Sequence, residues 1–84
     1  NANDAAMSLA QDELDQGRPA VALTRFQSMP ETAESLRGQA LALQRLGRHG
    51  EAVRALEKAH ALAPDDPRIE LLLVAEQSRA QESK

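Results

Sequence analysis

The stretch GRHGEAVRALEKAHALAPDDP, residues 47–67, decides the fold, because an earlier part of the chain repeats its pattern. GRPAVA at residues 17–22 aligns with GRHGEA at residues 47–52, thirty residues later. The same shift places Phe26 on Leu56 and Met29 on Ala59. A helical unit repeated at this period predicts stacked helix pairs, an architecture that presents binding surfaces rather than reaction centres.

Size and composition restrict the kind of core and the kind of site. The 84 residues are 42% hydrophobic but only 1% aromatic, so we expect one domain with a core of aliphatic side chains. Phe26 is the only aromatic residue, which argues against a pocket based on ring stacking. The chain has no cysteine, which excludes disulfides and thiolate metal sites and leaves the cellular compartment undetermined.

The net charge of −3 predicts that nucleic acid is not the main partner, because phosphate binding needs a basic excess. Arginines nevertheless concentrate in the middle of the chain, and two interpretations of them remain open. They either belong to ordinary solvated faces and contacts between repeats, or they form a basic strip that receives an acidic partner segment. The arginines in question are Arg37, Arg45, Arg48 and Arg54.

The helical period of the apolar residues, together with the glycines and prolines that separate the segments, predicts five helices. They lie at about residues 4–16, 19–28, 33–46, 50–62 and 67–81. Gly17 and Gly47 stop the first and third helices. Asp66 is predicted to cap the fifth helix, and Pro67 to occupy its first position. No run of apolar residues approaches the ~20 that are needed to cross a bilayer, so we expect no membrane insertion by this segment.

The two ends of the sequence suggest a piece of a longer protein. Residues 1–2 have the character of a scar left by tag cleavage, and residues 82–84 are expected to fray. The abundance of alanine and the excess of arginine over lysine indicate a bacterial source.

Residues 33–66 resemble one tetratricopeptide repeat (TPR). With Ala33 as the first position, Ala40 falls on the small residue at the helix crossing and Pro64 on the closing proline. Ala52, Leu56 and Ala59 supply the small–large–small signature of the second helix. Residues 3–32 resemble a degenerate repeat, and residues 67–84 a capping helix or a partial third repeat.

The resemblance implies an all-α, right-handed α-solenoid of about two and a half helix-turn-helix repeats, whose first helices line an inner groove. No carboxylate clamp of the chaperone type is expected, because Met7, Gln11 and Leu41 stand where such clamps carry Lys or Asn. Carried over by position, the partner-binding groove residues are Met7, Gln11, Leu14, Arg37, Leu41, Gln44 and Arg45.

Residues with catalytic or ligating chemistry do not converge in the sequence. His49 and His60 are too far apart for a metal pair, and His49 is expected to pack at the turn. Asp12 and Asp15 share a helical face but have no third ligand. We therefore expect no enzyme activity, no metal site and no cofactor.

The fifth helix carries two apolar faces where a terminal helix needs only one. Leu71, Val74 and Ala75 lie nearly opposite the face formed by its other apolar residues. They are expected to meet a second copy, a partner or a further repeat, unless the helix is wedged into the concave side of its own domain. The other face consists of Ile69, Leu72, Leu73 and Ala80.

These features predict a scaffold module that binds a partner protein or peptide, as part of a larger bacterial assembly or a secretion-related protein. One alternative is a module for homo-oligomerisation. Another is a small chaperone that holds an extended segment of its partner.

Overall fold

The computed structural model describes the backbone of residues 2–82 and the side chains of residues 4–82. The ends of the predicted scar and of the predicted frayed tail, Asn1 and Ser83-Lys84, lie outside these residues. Five helices occupy the described range, and it contains no strand. They are α1 (Ala2–Asp15), α2 (Pro19–Gln27), α3 (Ala33–Arg45), α4 (His49–Leu62) and α5 (Pro67–Glu82).

The helices pack mainly on their neighbours in sequence, and α1 also touches α3. This is the arrangement expected of consecutive helix pairs, and the molecule measures 38 × 28 × 17 Å. The predicted all-α fold of stacked helix pairs is confirmed.

Two matching turns follow the first helix of each pair. Gly17 and Gly47 have φ values of +79° and +76°, which glycine adopts without a steric penalty. Each turn carries the two hydrogen bonds of a Schellman motif: the glycine N–H donates to the carbonyl three residues back, and the following arginine N–H to the carbonyl five residues back. The repeated Gly-Arg pair in the sequence therefore corresponds to one repeated turn.

The starts of α3 and α5 are fixed by side chains. Thr32 and Ser35 form a capping box, in which each side chain accepts a hydrogen bond from the other residue's backbone N–H. At α5, Asp66 Oδ1 accepts a hydrogen bond from the N–H of Arg68 at 3.0 Å, which confirms the predicted cap. The Arg68 side chain also bonds to Asp66 and lowers the pKa of that carboxyl below its usual value.

The core lies between the helices and consists of aliphatic side chains and alanine around one ring. Ala22 and Ala52 are both fully buried, as are Phe26 and Leu56, so these equivalent positions of α2 and α4 have the same role in the core. The first unit departs from this pattern at Glu13, where an apolar residue is common. There the Glu13 carboxylate pairs with Arg25 of α2 and so bridges the two helices of the unit.

The contact between the two units depends on Gly38. A methyl group at this position would lie less than 3.0 Å from three carbons of the Phe26 ring, which is itself only 1% exposed. The ring can therefore lie directly on the backbone of α3, which brings α2 and α3 close together.

We predict that Gly38→Ala destabilises the protein, although alanine is normally the better helix former. The added methyl group overpacks a buried ring, at a cost of about 1–3 kcal/mol. Gly50→Ala in α4 is the matched control: nothing lies within 4 Å of its added methyl group, so we expect no loss of stability. Urea unfolding followed by far-UV circular dichroism measures both, and equal stability of the two variants would contradict the prediction.

Candidate functional site

The first helices of the units, α1, α3 and α5, are linked by side-chain hydrogen bonds, and we call the side on which they lie the inner face. Arg45 Nη1 on α3 donates to the backbone carbonyl of Leu14 on α1 at 2.8 Å. At the other end of α3, Glu34 Oε1 accepts a hydrogen bond from Arg68 Nη2 on α5 at 3.0 Å. These bonds hold α1, α3 and α5 side by side.

Six of the seven predicted groove residues have side chains that reach solvent. Met7, Arg37, Leu41 and Gln44 are half-buried, and Gln11 and Arg45 are exposed. Leu14 was wrongly predicted, because its exposure is 0% and it belongs to the core. The positional alignment failed there because the two units differ at this position: Leu14 is fully buried, whereas its equivalent Gln44 is half-buried.

A groove of about 630 Å³ opens between α1, the α2–α3 linker and the start of α3. Its apolar surface comes from Met7, Met29 and Pro30, and methionine side chains adapt readily to different partners. Only Met7 was predicted, because the path of the linker does not follow from helical period. The polar lining residues are Asp4, Ser8, Thr32, Glu34 and Ser35.

Two arginines of α3 make only a long or an uncharged hydrogen bond among the described residues. Arg45 bonds to a carbonyl, and no carboxylate among the described residues pairs with it. Arg37 meets Glu34 only at 3.3 Å, and its buried Nε has no hydrogen-bond partner within the described residues. Glu34 is in turn shared with Arg68.

A buried acid that sequence reasoning missed joins α4 to α5. Glu76 is 1% exposed, and its Oε2 lies 2.6 Å from His49 Nδ1 at the start of α4. Its Oε1 lies 3.3 Å from Arg79 Nη1. His49 does lie at the turn, as predicted, but its principal contact is this carboxylate. The sequence did contain one indication that Glu76 is buried. It falls on the same helical stripe as the apolar residues Ile69, Leu72, Leu73 and Ala80.

The second apolar face of α5 is open. Leu71 is 72% exposed and Val74 is 62% exposed, and Ala75 beside them is also exposed. The alternative, a helix wedged into the concave side of its own domain, is wrong for the described structure. The opposite face packs on α4 through Ile69, which is fully buried.

The structure of residues 2–82 gives little support for a metal site, a membrane-spanning helix or a catalytic serine. The described side chains contain no group of three or more His, Asp or Glu residues placed to hold a metal ion. No described helix is both long enough and apolar enough to span a bilayer. Ser35, the most buried serine, is engaged by the capping box rather than by a catalytic base.

Comparison with known proteins supports a single family. The family model of the tetratricopeptide repeat matches residues 33–75, slightly more than half of the chain. The match includes α3, α4 and the first half of α5. Neither the curated proteins nor the solved structures yield a match.

We predict that His49→Ala destabilises the protein by about 1–3 kcal/mol, because it leaves the buried Glu76 carboxylate with one long contact to Arg79. Adding Glu76→Leu should recover most of this loss, because an apolar side chain fits the stripe and removes the buried charge. Urea unfolding of both variants provides the measurement. A double variant less stable than His49→Ala alone would contradict the explanation that the loss comes from a poorly paired buried carboxylate.

Proposed function

The chain belongs to the tetratricopeptide repeat family, and we propose that it is a protein interaction module whose inner face binds a segment of a partner protein. Repeats of this family generally mediate protein–protein interaction. One observation carries the proposal: half-buried Leu41 on α3 and half-buried Met7, which lines the 630 Å³ groove, lie among polar side chains on the inner face. Apolar anchors surrounded by polar groups are typical of peptide-binding surfaces.

A scaffold role agrees with the way this chain uses its reactive side chains. Repeats of this family are typically non-catalytic. His49 and Glu76, the pair that most resembles a catalytic arrangement, hold α4 against α5 and do not line the 630 Å³ groove. A place in a larger bacterial assembly or secretion-related protein rests on composition and stays a prediction.

A second candidate function, self-association, is favoured by the exposed side of α5. Leu71 and Val74 have the two most exposed large apolar side chains among the described residues. Burial of such side chains in a dimer would remove apolar surface from water. Two copies could pack these faces against each other about a twofold axis, since each copy presents the same stripe.

Selection from a random peptide library displayed on phage tests the first proposal. We expect selected peptides to lose at least about fivefold in affinity on Leu41→Ala, because an apolar anchor contributes about 1 kcal/mol or more. Val21→Ala is the matched control, since Val21 is an exposed apolar residue of α2. Peptides that bind both variants and the unmodified protein equally would contradict binding at the inner face.

Light scattering across a dilution series tests the second proposal. We expect the unmodified protein to form a dimer, and the Leu71→Glu, Val74→Glu variant to be a folded monomer, because charge at a buried apolar contact is costly. Val21→Glu, which adds charge at an exposed position of α2, should leave the dimer intact. A monomer at every concentration would exclude self-association through α5.

A further inference from the structure

We propose that the inner face binds an internal, extended segment of its partner in which two acidic side chains flank an apolar one. The carboxylates pair with Arg37 and Arg45, and the apolar side chain rests on Leu41. This inference rests on the proposed function and specifies the chemistry of the partner. It requires no free carboxyl terminus, because both arginines would bind side-chain carboxylates.

The distances between three side chains of α3 determine the spacing of the contacting residues in the bound segment. Arg37, Leu41 and Arg45 stand at i, i+4 and i+8, so they form one stripe about 12 Å long at 1.5 Å per residue. In an extended chain, alternate side chains point the same way, and residues i and i+4 are about 13 Å apart. An acidic–x–apolar–x–acidic sequence therefore matches the stripe with all three side chains on one side.

The hydrogen bonds that Arg37 and Arg45 make within the protein leave both side chains able to bind acidic ligands. Among the described residues, the guanidinium of Arg45 donates only to a carbonyl, and a carboxylate can approach its remaining donors. Arg37 donates to Glu34 through Nη2 at 3.3 Å, so exchange of Glu34 for a ligand carboxylate at this nitrogen breaks only a long hydrogen bond. Glu34 would keep its contact with Arg68.

Charge on the neighbouring helices selects the path of the segment. Helix α1 carries four acidic residues and no Lys or Arg, so an acidic segment is repelled from that side of the stripe. Helix α5 carries three acidic residues against two arginines, so it repels an acidic segment less than α1 does, and its Leu71 and Ala75 offer exposed apolar surface. The segment therefore lies along α3 towards α5 rather than in the groove beside α1.

The test uses a peptide with both ends blocked, Ser-Glu-Ser-Leu-Ser-Glu-Ser, and measures affinity by calorimetry and contact by amide shifts in NMR spectra. Two control peptides carry lysine in place of glutamate, or the two glutamates side by side. We expect the acidic peptide to bind tightest, to shift amides of α3 and α5, and to weaken as salt is raised. Arg37→Gln and Arg45→Gln should each reduce affinity at least about threefold.

Two further variants separate recognition from folding. Arg54→Gln removes an exposed arginine from α4 and should leave affinity unchanged. Arg45→Lys keeps the charge and should retain most of the binding, even though the bond to the Leu14 carbonyl changes. Full binding by both Gln variants, or tighter binding of the lysine peptide, would overturn the inference.

The library selection distinguishes the two levels of the proposal. Selected peptides that depend on Leu41 but lack the acidic pattern would overturn the inference and leave the proposed function standing. A library that yields no peptide at the inner face would overturn both. Enrichment of the acidic–x–apolar–x–acidic pattern among Leu41-dependent peptides would support both.

Discussion

The Phe26 ring lies directly on the backbone of α3, and the rest of the structure depends on this close contact. With one aromatic residue in the chain, the two units can share a core only if small residues let large ones approach. Gly38 provides such an opening for the Phe26 ring, and fully buried Ala22 and Ala52 lie at equivalent positions of the two units. The close packing of α2 on α3 therefore also sets the spacing of α1, α3 and α5 on the inner face.

Features that depend on local rules were predictable from the sequence. The turns at Gly17 and Gly47, the cap at Asp66 and the five helices need only backbone sterics, capping chemistry and helical period. The exposed face at Leu71 and Val74 was predictable for the same reason, since helical geometry separates it from the packed face. The family resemblance then placed six groove residues on solvent-accessible positions.

Features that depend on contacts distant in sequence were not predictable. The burial of Glu76 follows from a partner 27 residues away, His49, and a carboxylate on an apolar stripe carries no local sign of that partner. A packing role for Gly38 was not predicted from the sequence, because the position of the Phe26 ring depends on how the two units meet. The groove lined by methionines was not predicted, because the α2–α3 linker beside it has no helical period of apolar residues.

A double-mutant cycle between Phe26 and Gly38 tests most directly whether this contact sets the distance between the units. The account predicts that Gly38→Ala costs much less in a Phe26→Leu background, because the shorter side chain makes room for the methyl group. The two changes should be coupled by about 1 kcal/mol or more, as measured by urea unfolding of the four proteins. Additive effects of the two substitutions would show that the ring does not limit the approach of α2 to α3, and would contradict the account.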